Sequence, residues 1–456
     1  MQTLPLITHT SFDKTIAWRK GIRISVEEFL ADVNHLAELL PTSKHILNVC
    51  KDRYHFSVGL AAAIISNKVS VLPPTHTPEM LRQLQTFSPD VFCLYDNDDC
   101  DIALPRLHYP TMPKHHAAKF SVPRVNAQQL VAIVFTSGST GQPNPHLKRW
   151  GSLVQNVQAQ AKRLGLSASN EYSIVGTIPP QHMYGFESTV LLPWQTGNAL
   201  SSAQPFYSAD ICSEMQSIPA PRILASTPLH LRLLLDSELK VAGPALLLSA
   251  TAPLSYALAT KVESILKAPL IEIYGSTETG QIATRRTTDG DSWQLLPQIK
   301  LTPHGSEQVL AEGGHVEVAT VLNDIIALTK PGFFLLHGRT QDLINIAGKR
   351  SSLTNLNHHL NTIDGVIDGA FFMPDELSHD HVTRLSACVV APNLTATQLL
   401  AILRTKIDPV FLPRPLLFLE NLPRNATGKL PREELKKLFE ASINKDFSYA
   451  QSQESP

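Results

Sequence analysis

The sequence predicts an α/β fold: a large N-terminal domain of open mixed sheets covered by helices, followed by a small, mobile α+β lid domain. Three observations predict it. The first hundred residues alternate helical and extended patterns, as an open, largely parallel sheet with crossover helices does. Two apolar strands, Leu130 to Phe135 and Leu270 to Tyr274, run directly into polar loops. After about residue 340 the pattern resets into a shorter set of helices and strands. A chain of 456 residues calls for more than one domain, and we place them at 1–339 and 340–445. Residues 446–456 are polar and without apolar periodicity, which predicts a disordered tail.

The elements follow in order. Ser25 and Glu28 form a capping box, and Phe29, Val33, Leu36 and Leu40 then recur on one helical face. His45 to Cys50 reads as a strand, Phe56 to Ser66 as an Ala-rich helix and Val69 to Leu72 as a strand. Thr77 and Pro78 fit the N-cap and first position of the next helix, and Val91 to Tyr95 returns as a strand. Polar, Pro-containing segments at 105 to 125 precede Leu130 to Phe135. Later, Leu246 to Ser249 reads as a strand preceding a helix. No internal repeat or low-complexity tract is present.

Composition excludes several classes of function. The formal charge is −1, with 43% apolar and 17% charged residues, so neither nucleic acid nor an anionic membrane is an expected partner. The apolar run Leu60 to Ile65 is far below the roughly 18 to 20 residues of a spanning helix, and residues 1–14 lack the pattern of a signal peptide. Five scattered cysteines without CxxC spacing predict neither a disulfide framework nor zinc. A cytoplasmic location follows as an expectation. The acidic run Asp96 to Asp101 lacks the Gly and distant Glu of a calcium loop and reads as solvated. The pairs His115-His116 and His358-His359 lack metal-ligand spacing.

Two loops and one lysine carry chemistry. In Thr136-Ser137-Gly138-Ser139-Thr140-Gly141, two glycines free backbone N–H groups and four hydroxyls add donors, a composition suited to phosphate oxygens. No Gly-Lys-Ser/Thr closes it, so it is not a Walker A loop. In Tyr274-Gly275-Ser276-Thr277-Glu278-Thr279-Gly280, the tyrosine offers a face for a base, Thr277 a hydroxyl and Glu278 a carboxylate for Mg²⁺. Lys429 follows Gly428 in a polar turn, from which its ammonium can swing. Each fragment alone also fits an ordinary structure: a turn, a strand-to-helix junction capped by Thr and Glu, a solvated surface lysine.

Taken together and in this order, over residues 20 to 440, the segments resemble the adenylate-forming acyl-CoA synthetases, peptide-synthetase adenylation domains and luciferases. TSGSTG at 136 to 141 looks like the family's phosphate loop, IYGSTETG at 273 to 280 its adenine and Mg²⁺ segment, GRTQDLINIAGKR at 338 to 350 its hinge, and LPRNATGK at 422 to 429 its catalytic-lysine segment. The resemblance implies ATP and Mg²⁺ as cofactors. It makes Asp324 and Arg339, fifteen residues apart, the ribose residues, Gln341 the hinge, and His182, in PQHMYG, a residue lining the acyl pocket. The compact spacing and the phrase TSGSTGQPNPH are most similar to short synthetases of aryl-polyene and xanthomonadin-type pigments. The implied reaction is activation of a carboxylic acid, an aryl acid such as hydroxybenzoate or cinnamate, to acyl-AMP. Transfer to the phosphopantetheine thiol of an acyl carrier protein follows, or alternatively to CoA.

The chain departs from the family pattern at three places. Pro143-Asn144-Pro145 stands where Pro-Lys-Gly is usual, with Lys148 only later; Gln341 occupies a position that is often Asp or Lys; and Asn345 replaces a common lysine. These changes motivate a rival reading, a nucleotide-binding pseudoenzyme, against which Glu278 and Lys429 speak. The electrostatic logic holds without the family: a carboxylate attacking a phosphate brings two anions together, so a metal ion, N–H dipoles and a lysine must neutralise the developing charge.

Overall fold

The computed structural model describes residues 2–113, 121–137, 143–167, 169–305, 308–339, 343–346, 349–373, 385–425, 430–431, 434–435 and 437–439. The chain divides into two compact units, Met1–Thr302 with Leu310–Thr320, and Pro303–Val309 with Val321–Pro456.

The first unit is built on two sheets. One has six described strands in the order Pro143–Arg149, Leu130–Ser137, Val69–Leu72, His45–Asn48, Phe92–Tyr95, Arg106–His108. All its pairs are parallel except the first. Helices Arg53–Ile65 and Pro78–Phe87 supply crossovers between its parallel strands, and helix Val26–Leu39 leads into strand His45–Asn48. Helix Val26–Leu39 starts from the Ser25–Glu28 capping box, and Pro78–Phe87 starts from Thr77, whose hydroxyl accepts from the Met80 N–H. Helix Arg53–Ile65 is capped by Asp52, which accepts from the N–H groups of Tyr54 and His55. That helix packs so closely that a Cβ on Gly59 would lie 2.5 Å from Asn48 Nδ2, which is why the Ala-rich face carries a glycine there. Asp96, expected to be solvated, is instead a buried staple. Its carboxylate accepts from the N–H groups of Lys51 and Asp52 and meets His55 Nδ1 at 2.9 Å, which ties the end of one strand to the next helix.

The second sheet of this unit runs Ser292–Leu295, Gly280–Arg286, Leu270–Ser276, Leu246–Ser249, Arg222–Ser226, Ser173–Gly176, Ala199–Ser201, Thr15–Arg19, Ile22–Ser25. Its central strands are parallel and fully buried, which explains their unbroken apolar runs. Arg53, wholly buried, donates to the carbonyls of Gly176 and Ile178 at 2.9 Å each and to those of Ser201 and Ala203. A buried guanidinium thus fixes the ends of two strands at once. Desolvation lowers its pKa to about 10, so it remains charged at neutral pH.

In the second unit, the three-stranded sheet Asp368–Phe372, Ser386–Val390, Leu416–Phe418 sorts its residues by strand period. Phe371, Ala387 and Val389 face Leu356 and Leu360 of helix Leu353–Asn361 and Leu399 and Leu403 of helix Ala396–Lys406. Ala370, Phe372, Cys388 and Val390 face Leu422, Leu435 and Phe439. Hairpins Asp324–Leu328 with Phe333–Arg339, and Leu343–Ile346 with Lys349–Ser352, complete the unit.

Three buried histidines of the first unit make acid stability predictable. Burial lowers His9, His230 and His315 to about 4, whereas the unfolded chain protonates them near 6.5. Between those values the unfolded state binds more protons, so stability is complete above about pH 6.5 and is lost as pH falls toward 4. The slope is about 1.4 kcal/mol per pH unit for each histidine. Urea unfolding between pH 7 and 4.5 should show this loss, and His→Gln variants at the three positions should flatten it. A midpoint constant from pH 7 to 5 would contradict the reading.

Candidate active site

The strands that flank the segment expected to bind phosphate pair with each other. Strands Leu130–Ser137 and Pro143–Arg149 pair antiparallel with Thr136 opposite Asn144 and Val134 opposite His146. The second strand carries two prolines yet keeps its pairing as far as Lys148 because it lies at the sheet edge; the register shifts between Lys148 and Arg149. Alternation puts Asn144, His146 and Lys148 on one face. Thr136 Oγ1 and His146 Nε2 are 2.8 Å apart, and His146 Nε2 is 3.6 Å from Glu278 Oε1. Ser137 ends the described part of this strand. Gly138, Ser139, Thr140 and Gly141 lie outside the described residues.

The second loop is a hairpin, and the strand-to-helix alternative is thereby corrected. Strand Leu270–Ser276 turns directly into Gly280–Arg286, with Ser276 opposite Gly280. The reason lies in the packing of two glycines. Gly280 has φ +71°, and a Cβ there would sit 2.1 Å from Asn156 Nδ2; a Cβ on Gly275 would lie 2.2 Å from the Gly280 carbonyl. The turn is closed by Ser276 and Thr279, whose hydroxyls are 3.2 Å apart while the Thr279 N–H donates to Ser276 Oγ. Thr279 is buried, Thr277 half-buried, and Glu278 projects with 42% of its side chain exposed. Tyr274 packs at 5.5 Å, tilted, against Trp293, which carries Arg285 over its ring.

Charge balance leaves Glu278 ionised. Burial raises its pKa, but the Ser276 hydroxyl, its own N–H, His146 and Lys148 together outweigh that and hold it below the usual carboxylate range. Desolvation lowers His146, so the imidazole is neutral at pH 7. Among the described residues no group of three or more His, Cys, Asp or Glu converges on a point. A single ionised carboxylate beside a hydroxyl-rich turn fits Mg²⁺, which characteristically takes one or two protein carboxylates and completes its shell with phosphate oxygens and water.

Behind the loop lies a buried polar network that sequence reasoning missed. Lys148 is 8% exposed, and its ammonium donates to the carbonyls of Thr277 at 2.5 Å and Glu278 at 3.5 Å. Glu187, fully interior in the π-turn Glu187–Leu191, accepts from Asn156 Nδ2 at 2.5 Å. Gln281 and Gln160 both donate to Ser188 Oγ. Desolvation raises Glu187 to about 7, opposed by the Lys148 charge, Gln281 and Asn156. The available signal was the even spacing of 144, 146 and 148, hidden by prolines that suggest a loop, and the lone acid in the apolar run after Tyr184.

Other sequence candidates lie in other segments of the chain. His182 precedes the short helix Met183–Phe186, whose residues are buried, and Gly185 allows the Pro179 carbonyl to approach to 2.2 Å of where its Cβ would be. In the second unit Asp324 and Arg339 are cross-strand partners. Gln341 and Lys429 lie outside the described residues.

A strand-end hydroxyl, an imidazole and a carboxylate thus lie together where the strands Leu130–Ser137 and Pro143–Arg149 meet the loop after Ser276. The chain belongs to the AMP-binding enzyme family, whose pattern matches residues 9–316. It is an AMP-forming ligase, an acid-activating enzyme whose nucleotide is ATP. It is 30% identical over 303 residues to 4-coumarate–CoA ligase of Halorhodospira halophila, covering 65% of this chain and 73% of that one. It is 26% identical over 179 residues to 3-hydroxybenzoate–CoA/4-hydroxybenzoate–CoA ligase of Thauera aromatica, covering 38% and 32%. Its fold matches o-succinylbenzoate CoA synthetase of Bacillus subtilis, solved with its acyl-adenylate intermediate, with a TM-score of 0.80 and 17% identity over 96% of this chain and 99% of that one.

Proposed function

We propose that the protein activates an aryl acid such as a hydroxybenzoate or cinnamate to aryl-AMP and passes the aryl group to the phosphopantetheine thiol of an acyl carrier protein. The observation that carries the first half is the grouping of Thr136, His146 and Glu278 at 2.8 and 3.6 Å. In that half a carboxylate oxygen attacks the α-phosphorus of ATP, the bond to the bridging oxygen breaks and pyrophosphate leaves. Glu278 is placed to hold Mg²⁺, which when bound neutralises phosphate charge. The 136–141 turn offers N–H and hydroxyl donors to the phosphates, Thr277 adds a hydroxyl, and Tyr274 to Ser276 line the adenine side. In the second half the thiol sulfur bonds to the carbonyl carbon, AMP leaves and the thiol proton is released. Asp324 and Arg339 hold the ribose, and residues 340–445 rotate about Gln341 to expose the carbonyl.

Transfer to CoA is the second reading, favoured by the names of the relatives. Among the described residues no helix is long and apolar enough to cross a membrane. The test supplies purified enzyme, ATP and 4-hydroxybenzoate with either CoA or a holo-carrier protein and follows thioester mass. Preference for the carrier is expected; turnover with CoA alone transfers the assignment to the second reading. Aromatic acids should outrank acetate, and His182→Ala should reorder the acids. An unchanged ranking would place the acyl pocket elsewhere.

A further inference from the structure

The sheet-edge strand Pro143–Arg149 lacks a lysine at Asn144, next to the turn, and carries one at Lys148 on the same face. Four residues along a strand is roughly 13 Å, so Lys148 belongs to a different part of the site. It is buried, and its ammonium is spent on backbone: the carbonyls of Thr277 and Glu278. Those two residues carry the hydroxyl and carboxylate proposed to meet Mg-ATP. Of the charges that offset its desolvation, Glu187 contributes most, ahead of Glu278 and Glu317. Glu187 is itself oriented by Asn156, the side chain against which Gly280 packs at the other end of the same turn. The turn is therefore clasped at both ends by one buried network.

We propose that Lys148 is the positioning residue that sets the direction of Thr277 and Glu278 for Mg-ATP. A buried ammonium is a strong donor to carbonyls because water does not compete, so it fixes the two peptide planes from which the reacting side chains project. The inference rests on Glu278 as the Mg²⁺ residue.

The test uses ATP–pyrophosphate exchange with the KM for MgATP and the KM for the acid measured separately, alongside urea unfolding. Lys148→Met should lower kcat/KM for MgATP about 100-fold, the scale of a misplacement of about 1 Å, and leave the acid KM unchanged. It should also destabilise the fold, because the Thr277 and Glu278 carbonyls lose a buried donor. The double variant Lys148→Met/Glu187→Gln removes both buried titratable groups, and exchange should stay at the single-variant level. Lys148→Arg, which keeps the charge, should regain part of the MgATP affinity. Recovery of a wild-type KM for MgATP in the double variant would overturn the proposal, reducing Lys148 to a partner of Glu187. Glu278→Ala in the same assay separates the two readings: normal exchange there defeats the metal assignment, whatever the Lys148 variants do.

Discussion

Glu278→Ala should abolish acyl-adenylate formation, with a loss of at least about 10³-fold in pyrophosphate exchange, while leaving the fold intact. The size follows from electrostatics: removing a single preorganised group that offsets developing charge costs about 10² to 10³-fold, and here two anions must meet. Intact folding follows from the turn itself. Ser276, Thr279 and Gly280 close it without the Glu278 side chain, and Lys148 holds backbone carbonyls that alanine keeps. A carboxylate with 42% of its side chain exposed, 3.6 Å from the His146 imidazole, contributes little to stability. The variant should therefore unfold at the wild-type urea concentration and bind the acid, yet release no pyrophosphate. Normal release would sink the assignment of Glu278 to the metal.

Lys429→Ala should lose adenylation by at least about 10³-fold and still convert supplied acyl-AMP to thioester. The ammonium is needed where a carboxylate approaches the α-phosphate, and that charge is gone once a neutral carbonyl meets the thiol. This division is what motivates the proposed hinge at Gln341, since a group used in one half-reaction must vacate the face needed in the other. Separate assays of the two halves decide it. Equal loss in both would refute the division of labour, and with it the rotation of residues 340–445.

Features set by neighbours in sequence are legible without a structure. The Ser25–Glu28 capping box, the Thr77-Pro78 helix start and the strands Val69–Leu72 and Leu246–Ser249 stand where local chemistry puts them. The site is legible to the extent that its groups sit in two contiguous loops: Thr136 at a strand end, and Thr277 with Glu278 in a polar turn. What could not be read is non-local. Pro143 and Pro145 suggest a loop, and only the edge position of their strand makes them tolerable. The turn after Ser276 leads into a strand rather than a helix because Gly280 has to pack on Asn156, more than a hundred residues earlier. Asp96 looks like part of a solvated acidic run until Lys51, Asp52 and His55 are brought to it. Lys148 and Glu187 are distant in sequence, and nothing near either announces the other.

The central claim, that this chain couples ATP cleavage to activation of an aryl acid, is tested most directly by ATP–pyrophosphate exchange on the wild-type enzyme with a panel of acids and no thiol present. Exchange that depends on the acid, is strongest with hydroxybenzoates or cinnamates, weak with acetate and absent without Mg²⁺ is the predicted result. No exchange with any acid, from protein that binds ATP, would contradict it and identify a nucleotide-binding protein that has lost the chemistry.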